Sequence, residues 1–272
     1  MINYPNIDPI ALSIGPVAVR WYGITYLLGL AVGWLLGSYR IKRNYLPPAL
    51  KNFTQTQFSD LLMYIAFGLL LGGRIGYMFF YKTSLLFTAP LEFFKIWHGG
   101  MSFHGGLIGA ALAIFIFCKQ NKLKFFALTD FVAPLAPPAF LFGRIGSFIN
   151  GELWGKVSDV PWAMIFPHAG PMPRHPTQLY EGCLEGILLF IILWLFTNNP
   201  DKKRPTMSVS GLFLICYGIF RCLIEFFRVP DQHIGYLAFD WLTMGQVLSI
   251  PMILSGIILF ILAYKDENRD KK

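Results

Sequence analysis

Seven long apolar runs dominate the chain, near Trp21 to Tyr39, Leu61 to Tyr81, Phe103 to Cys118, Phe131 to Ile149, Leu179 to Phe196, Gly211 to Phe227 and Trp241 to Tyr264. A helix needs about 20 apolar residues to cross a hydrocarbon core roughly 30 Å thick. In that medium only helices and closed barrels satisfy every backbone N–H and C=O. A water-soluble globule is excluded by composition: 55% of the residues are hydrophobic and only 14% charged, against roughly 25% charged in an ordinary soluble chain. The expected fold is all-α, a polytopic membrane helix bundle of about seven transmembrane helices, forming a single domain over residues 1–272.

The formal net charge of +8 does not indicate a nucleic-acid binder, because the Lys and Arg residues sit in short clusters between apolar runs and do not form one basic face. Arg40, Lys42, Arg43 and Lys51 form the first cluster, and Lys119, Lys122 and Lys124 the second. Lys202, Lys203 and Arg204 form the third, and Lys265, Arg269, Lys271 and Lys272 the fourth. Basic loops mark the cytoplasmic side, so the N-terminus is expected outside and the C-terminus inside. The polar, proline-rich stretch of about 151–176 then becomes the longest exoplasmic connection and a small cap. The first residues lack the basic start of a cleavable signal peptide. Cys118, Cys183, Cys216 and Cys222 lie in apolar segments without a CxxC pair, which indicates membrane packing and neither disulfides nor a zinc site.

Charges inside spans are costly, roughly 2.5 to 3.5 kcal/mol each at a helix centre, and are functional candidates by default. The second and fourth spans both run outward and end in the same tetrapeptide, GRIG, at Gly73 to Gly76 and Gly143 to Gly146. Arg74 and Arg144 are therefore expected at similar depth. In the sixth span, Tyr217, Arg221, Glu225 and Arg228 recur at steps of three or four, which makes one helical stripe. His104 enters from outside in HGGMSFHGG, and Tyr26 lies just inside the outer end of the first span. Together these residues describe a polar ring beneath the outer surface. Its arginines require counter-ions, and Glu225, Glu152 and a lipid phosphate are the candidates. The alternative is that the arginines snorkel to outer headgroups or pair with Glu152, Glu181 and Glu225 as scaffolding.

The run GRIGSFINGELWGK, Gly143 to Lys156, closely resembles the signature of the prolipoprotein diacylglyceryl transferase family. GGRIGYMFFY at Gly72, HGGMSFHGG at His98, RHPTQLYE at Arg174 and FRCLIEFFRVPD at Phe220 are similar to its other blocks, in the same order. The resemblance implies a seven-span bacterial inner-membrane enzyme without cofactor or metal. Such an enzyme uses phosphatidylglycerol and prolipoprotein signal peptides with a lipobox cysteine. By position, the resemblance carries functional importance to Tyr26, His104, Arg144, Asn150, Glu152, Gly155, Arg221 and Glu225. Ser147 stands where the family usually has asparagine, and Lys156 where arginine is commoner. Serine keeps one donor and acceptor but loses the amide's reach.

The implied reaction is displacement at carbon: the precursor cysteine attacks the glycerol carbon bonded to phosphate, forming a thioether and releasing glycerol phosphate. The guanidinium forks of Arg144 and Arg221 suit the phosphate oxygens. His104 suits thiol deprotonation, because imidazole titrates near neutrality. It also suits a hydrogen bond to the phosphate or between helices, with the thiolate favoured by the arginines alone. Tyr26 joins the catalytic set, while Glu225, Asn150, Glu152, Gly155, Arg74 and Tyr217 complete the lipid site. Asp130 is expected to act as a helix N-terminal anion, His175 and Tyr180 to shape an entrance, and His168 and His233 to lie in loops. The competing classes are an anionic-lipid transporter or flippase and a non-catalytic signal-peptide binder. Against the former, no second half mirrors the first beyond the repeated GRIG.

Overall fold

The computed structural model describes residues 2–5, 7–15, 17–80, 82–83, 88, 90–94, 100–199, 204–230, 235–239 and 241–270. Tyr81, His98, Lys202, Lys203, Asp231, His233, Lys271 and Lys272 lie outside the described residues, as do the side chains of His104 and Arg269. The main helices are α1 (Trp21–Lys42), α2 (Gln55–Phe80), α3 (Phe103–Gln120), α4 (Phe125–Val132), α5 (Ala136–Ile149), α6 (Thr177–Glu181), α7 (Leu189–Thr197), α8 (Ser208–Glu225) and α9 (Met244–Asp270). A 3-10 turn at Ala133–Leu135 joins α4 to α5, and a π-helical stretch at Gly182–Leu188 joins α6 to α7. Each pair makes one span, Phe125–Ile149 and Thr177–Thr197. Among the described residues, six helices are long and apolar enough to cross a membrane, and Gly105–Gln120 is a seventh, shorter apolar helix.

Every apolar run is helical, but the helix ends are set by polar side chains. α2 begins six residues before its apolar run, because Thr54 and Gln57 form a reciprocal cap: Thr54 N donates to Gln57 Oε1 at 3.0 Å and Gln57 N to Thr54 Oγ1 at 3.2 Å. α9 begins later than expected for the same reason, with Thr243 and Gln246 exchanging bonds of 3.0 and 3.3 Å. Asp130 is indeed an N-terminal anion, though of a different helix. From α4, its carboxylate accepts from Met207 N at 2.7 Å, Ser210 N at 2.8 Å and Ser210 Oγ at 2.6 Å, capping the start of α8.

The chain divides into two compact units, residues 40–129 and residues 1–39 with 130–272. In the first, α2 and α3 run antiparallel along a glycine seam. Gly68, Gly72 and Gly76 face Gly105 and Gly109 so closely that a Cβ on Gly72 would lie 2.8 Å from Gly109 Cα and closer still to Gly105 O. Spacings of four put these glycines on one face, and lipid tails exert no hydrophobic drive between helices, so close backbone contact does the work. Arg74 is buried in this unit and anchors the following loop, donating from Nε to Phe93 O and from Nη1 to Gly100 O, both at 3.0 Å.

In the second unit α1 packs on α5, where Gly29 brings the chain against Ala139 and Gly146 brings it against Thr25 and Tyr22. Leu189, Leu193 and Val209 form a buried core between α7 and α8. The cap over this unit is built from residues 151–176 and the N-terminal segment. Strand β1 (Ile2–Asn3) pairs in parallel with β4 (Met164–Ile165), and β2 (Ile10–Ile14) pairs antiparallel with β3 (Val17–Arg20). The Tyr4 hydroxyl reaches the last carbonyls of α5, Phe148 O at 2.6 Å and Ile149 O at 2.8 Å, where a helix end runs out of intrahelical donors. Within the cap, Gly155 N donates to His175 O and Lys156 N to Phe227 O, both at 2.8 Å. Gly155 is required there, because a Cβ would fall 2.5 Å from Phe227 O.

Replacing Gly72 with Leu is expected to destabilise the α2/α3 pair by about 1–3 kcal/mol, the usual cost of overpacking. Thermal unfolding in detergent checks this against Gly23→Leu, a control where a new side chain would enter open space.

Candidate active site

Charged side chains from three helical segments meet inside the second unit. Arg144 comes from α5, Glu181 and Glu185 from α6 and the π-helical stretch, and Arg221 and Glu225 from α8, with Arg228 just beyond its end. Glu181 is the hub. Its Oε2 lies 2.5 Å from Arg144 Nε, and its Oε1 lies 3.1 Å from Arg221 Nη1 and 3.8 Å from Arg228 Nη1. Glu225 Oε1 lies 2.5 Å from Arg221 Nη2 and 3.6 Å from Arg228 Nη1. Glu185 stands further off, 3.7 Å from Arg144 Nη2 and 3.9 Å from Arg221 Nη1. Three arginines and three glutamates therefore cancel in formal charge. The carboxylates are the buried half: Glu181 and Glu185 are at most 1% exposed, while Arg144 keeps 22%.

Local sequence explains the placement. A four-residue step in α8 stacks Arg221 and Glu225 on one face. The other segment reads Glu181-Gly182-x-x-Glu185-Gly186, and its glycines lie against Leu141 of α5, with a Cβ on Gly186 falling 2.7 Å from Leu141 Cβ. That contact points both glutamates toward Arg144, within a π-helical stretch of a kind that recurs at functional sites. Glu225 is fixed again from α9: Thr243 Oγ1 donates to its Oε2 at 2.7 Å, and Gly245 leaves room for the carboxylate, since a Cβ there would meet it at 2.5 Å.

Several other residues singled out from the sequence lie in the same unit. Tyr26 is exposed, its ring over Gly143 and its hydroxyl 3.0 Å from that of Tyr22. Tyr217 packs against Phe140 and Phe213 and lies within electrostatic reach of Arg144, Arg221, Glu181 and Glu185. Asn150 Nδ2 donates to Glu152 Oε1 at 3.4 Å. Glu152 is exposed and is not one of the carboxylates that meet the arginines. Its backbone carbonyl accepts instead from the buried Gln178 Nε2. Ser147 is buried, 3% exposed. At the mouth of the fifth span, His175 Nδ1 lies 3.0 Å from Tyr180 Oη, which also accepts from Trp162 Nε1 at 2.6 Å. Burial pushes the His175 imidazole below its ordinary pKa, so it stays neutral at physiological pH. Arg74 and the backbone of His104, in the first turn of α3, belong to the other unit.

Sequence reasoning missed Glu185, Gln178, Thr243 and Tyr22 as parts of the arrangement. The signal for Glu185 was present as the EG…EG repeat inside a span, two carboxylates in a segment where each is costly. Gln178 and Thr243 gave no such signal, since their partners are distant in sequence.

Membrane-length helices that bury arginines against glutamates define a multi-pass membrane protein with a paired cluster of charges inside its second unit. Comparison with known proteins narrows this class. The family model for prolipoprotein diacylglyceryl transferase matches residues 9–262. The phosphatidylglycerol–prolipoprotein diacylglyceryl transferase of Pseudomonas paraeruginosa is 55% identical over 272 residues, covering 100% of this chain and 99% of the relative. That of Oleidesulfovibrio alaskensis is 53% identical over 269 residues, covering 99% and 98%. That of Coxiella burnetii is 51% identical over 269 residues, covering 99% and 100%. The chain belongs to the prolipoprotein diacylglyceryl transferase family.

Glu181→Gln is expected to destabilise the protein by about 2–4 kcal/mol, since removing one partner of a buried ion pair strands the others and the arginines recover part of that loss through their remaining exposure. A thermal unfolding midpoint unchanged from wild type would show that Glu181 does not hold the cluster together.

Proposed function

We propose that Arg144 and Arg221 form the headgroup site at which this protein moves the diacylglyceryl group of phosphatidylglycerol onto the lipobox cysteine of a prolipoprotein. One observation carries the reading. Two guanidinium groups from different helices are set on the same buried carboxylate, Glu181, at 2.5 and 3.1 Å, so their remaining donors are held in fixed directions before any lipid arrives. Preorganised donors of this kind stabilise charge that develops in a transition state.

In the proposed reaction the cysteine sulfur attacks the glycerol carbon bonded to the phosphate oxygen. A C–S bond forms, the C–O bond breaks, and its electron pair leaves with glycerol phosphate. The phosphate therefore gains charge as the bond breaks, which Arg144 and Arg221 offset, with Glu181 and Glu225 keeping their forks aligned. The thiol proton has to be removed, since a thiol with a pKa of about 8.5 is a poor nucleophile at neutral pH. His104 is assigned this proton because of its residue type and the family resemblance. Tyr26, Tyr217, Asn150, Glu152 and Gly155 complete the site, the hydroxyls as hydrogen-bonding groups and the others by shaping the cap, while Arg74 is assigned to lipid binding from its place in the repeated GRIG alone. Residues 1–272 act as one transferase domain, and no cofactor enters any step.

The same reading places the protein in the bacterial inner membrane with residues 151–176 and the N-terminus outside and the C-terminus in the cytoplasm, from the four basic clusters. A single thiol introduced between Asn198 and Arg204 is then expected to resist an impermeant reagent applied to intact cells. Modification there would invert the assignment.

A transfer assay with labelled phosphatidylglycerol and a cysteine-bearing precursor peptide tests the chemistry. Arg144→Lys and Arg221→Lys are each expected to lose most activity, because lysine keeps the charge without the bidentate fork. His104→Asn is expected to lose roughly 10² to 10⁴ in rate, to keep lipid binding, and to recover partly as pH rises toward the thiol pKa. Near-normal turnover in both lysine variants would leave only point-charge attraction. An unaltered rate in His104→Asn would move thiol activation to the arginines.

A further inference from the structure

Glu185 is the carboxylate of the cluster that approaches Arg144 and Arg221 least closely. Glu181 and Glu225 approach Arg144 or Arg221 to between 2.5 and 3.1 Å, whereas the shortest approach of Glu185 to either is 3.7 Å. Its side chain is 1% exposed, and its Oε1 has no hydrogen-bond partner among the described residues. A buried carboxylate in that condition keeps the electrostatic cost of its charge with little of the geometric benefit. The groups around it are Arg144 from α5, Arg221 and Tyr217 from α8, Arg228 beyond α8, and Glu181 on its own segment.

We infer that Glu185 is a competing anion: it shares the field of Arg144 and Arg221 with the phosphate of the incoming headgroup, lowers the site's affinity for that phosphate, and helps expel the phosphate-bearing product. The charge count supports this. The three arginines and three glutamates sum to zero, so one phosphodiester brings the occupied site to a net charge of −1. Cleavage makes the leaving phosphate a monoester, whose charge near neutral pH is about −1.5 to −2. Repulsion from Glu185 therefore grows as the reaction proceeds and acts more strongly on product than on substrate. Because its contacts to Arg144 and Arg221 are the longest those two arginines make in the cluster, Glu185 is the member whose share of the field a ligand can take without moving them off Glu181 and Glu225. It is a positioning residue of opposite sense, tuning affinity for anions without orienting them.

The inference rests on Arg144 and Arg221 being the headgroup site, and its test separates the two ideas. Purified wild type, Glu185→Gln and Glu185→Asp are compared in mixed micelles for binding of phosphatidylglycerol and of zwitterionic phosphatidylcholine, for transfer to a lipobox peptide, and for inhibition by glycerol phosphate. Glu185→Gln is expected to bind phosphatidylglycerol about tenfold more tightly, the scale of one unit charge at roughly 10 Å through an effective dielectric constant of about 20. It is also expected to be inhibited by glycerol phosphate at lower concentration, with KM and kcat falling together as product release slows. Glu185→Asp, which restores the charge, is expected to reverse the gain. A merely structural role would raise KM or abolish folding in both variants, and that result overturns the inference, as does unchanged affinity in Glu185→Gln. If Arg144→Ala and Arg221→Ala both leave phosphatidylglycerol affinity unchanged, the headgroup site itself is wrong. If those variants lose affinity and Glu185→Gln gains nothing, only the competing anion is wrong.

Discussion

A carboxylate with no solvent exposure inside an apolar bundle must be met by cations, and Glu181 is met by Arg144 and Arg221 from two different helices. That three-way contact ties the fourth, fifth and sixth spans together through charges whose desolvation would otherwise oppose folding. Much of the surrounding structure serves this contact. Gly182 and Gly186 let the fifth span lie against Leu141, bringing Glu181 within reach of Arg144, and Thr243 and Gly245 secure Glu225 behind Arg221. A lone pair at this depth would be fragile. A network of six charges shares its counter-charges and keeps each guanidinium fork in one orientation.

The sixth span is pinned by acidic groups at both ends, to different purpose. At its start Asp130 supplies a cap from another helix, accepting two backbone N–H bonds that Met207, in a left-handed conformation at φ +80°, brings within reach. At its end Glu225 sits between Arg221 and the capping threonine of α9. The first interaction fixes where the helix begins, the second fixes which way its arginine points. Both are needed for the cluster, because a guanidinium displaced by one turn, 5.4 Å along the axis, would no longer meet Glu181 and Glu225.

Much of the charged cluster was legible before any coordinates. Arg144, Arg221 and Glu225 stand out because each is a charge in a long apolar run, and the three- or four-residue steps of the sixth span put two of them on one face. Glu181 was visible as a possible scaffold partner and turned out to be the hub. Glu185 was passed over although it repeats the same Glu-Gly dipeptide one turn on. Arg74 shows the reverse case. Its tetrapeptide duplicates the one around Arg144, yet its donors are directed at the loop carbonyls of Phe93 and Gly100, so identical local sequence serves two different partners.

The number of membrane helices, their approximate extent and the positions of the buried charges are properties of the sequence alone, because hydrocarbon imposes helix on any long apolar run and makes every charge within it conspicuous. Beyond the Arg221–Glu225 pair within one helix, the pairings were decided only by tertiary structure. That Glu181 meets Arg144, and that Glu185 stands apart at 3.7 Å, depend on how closely Gly182 and Gly186 let separate helices approach, and that Asp130 caps the sixth span depends on where α4 lies. Those distances arise between residues tens of positions apart, where periodicity within one helix carries no information.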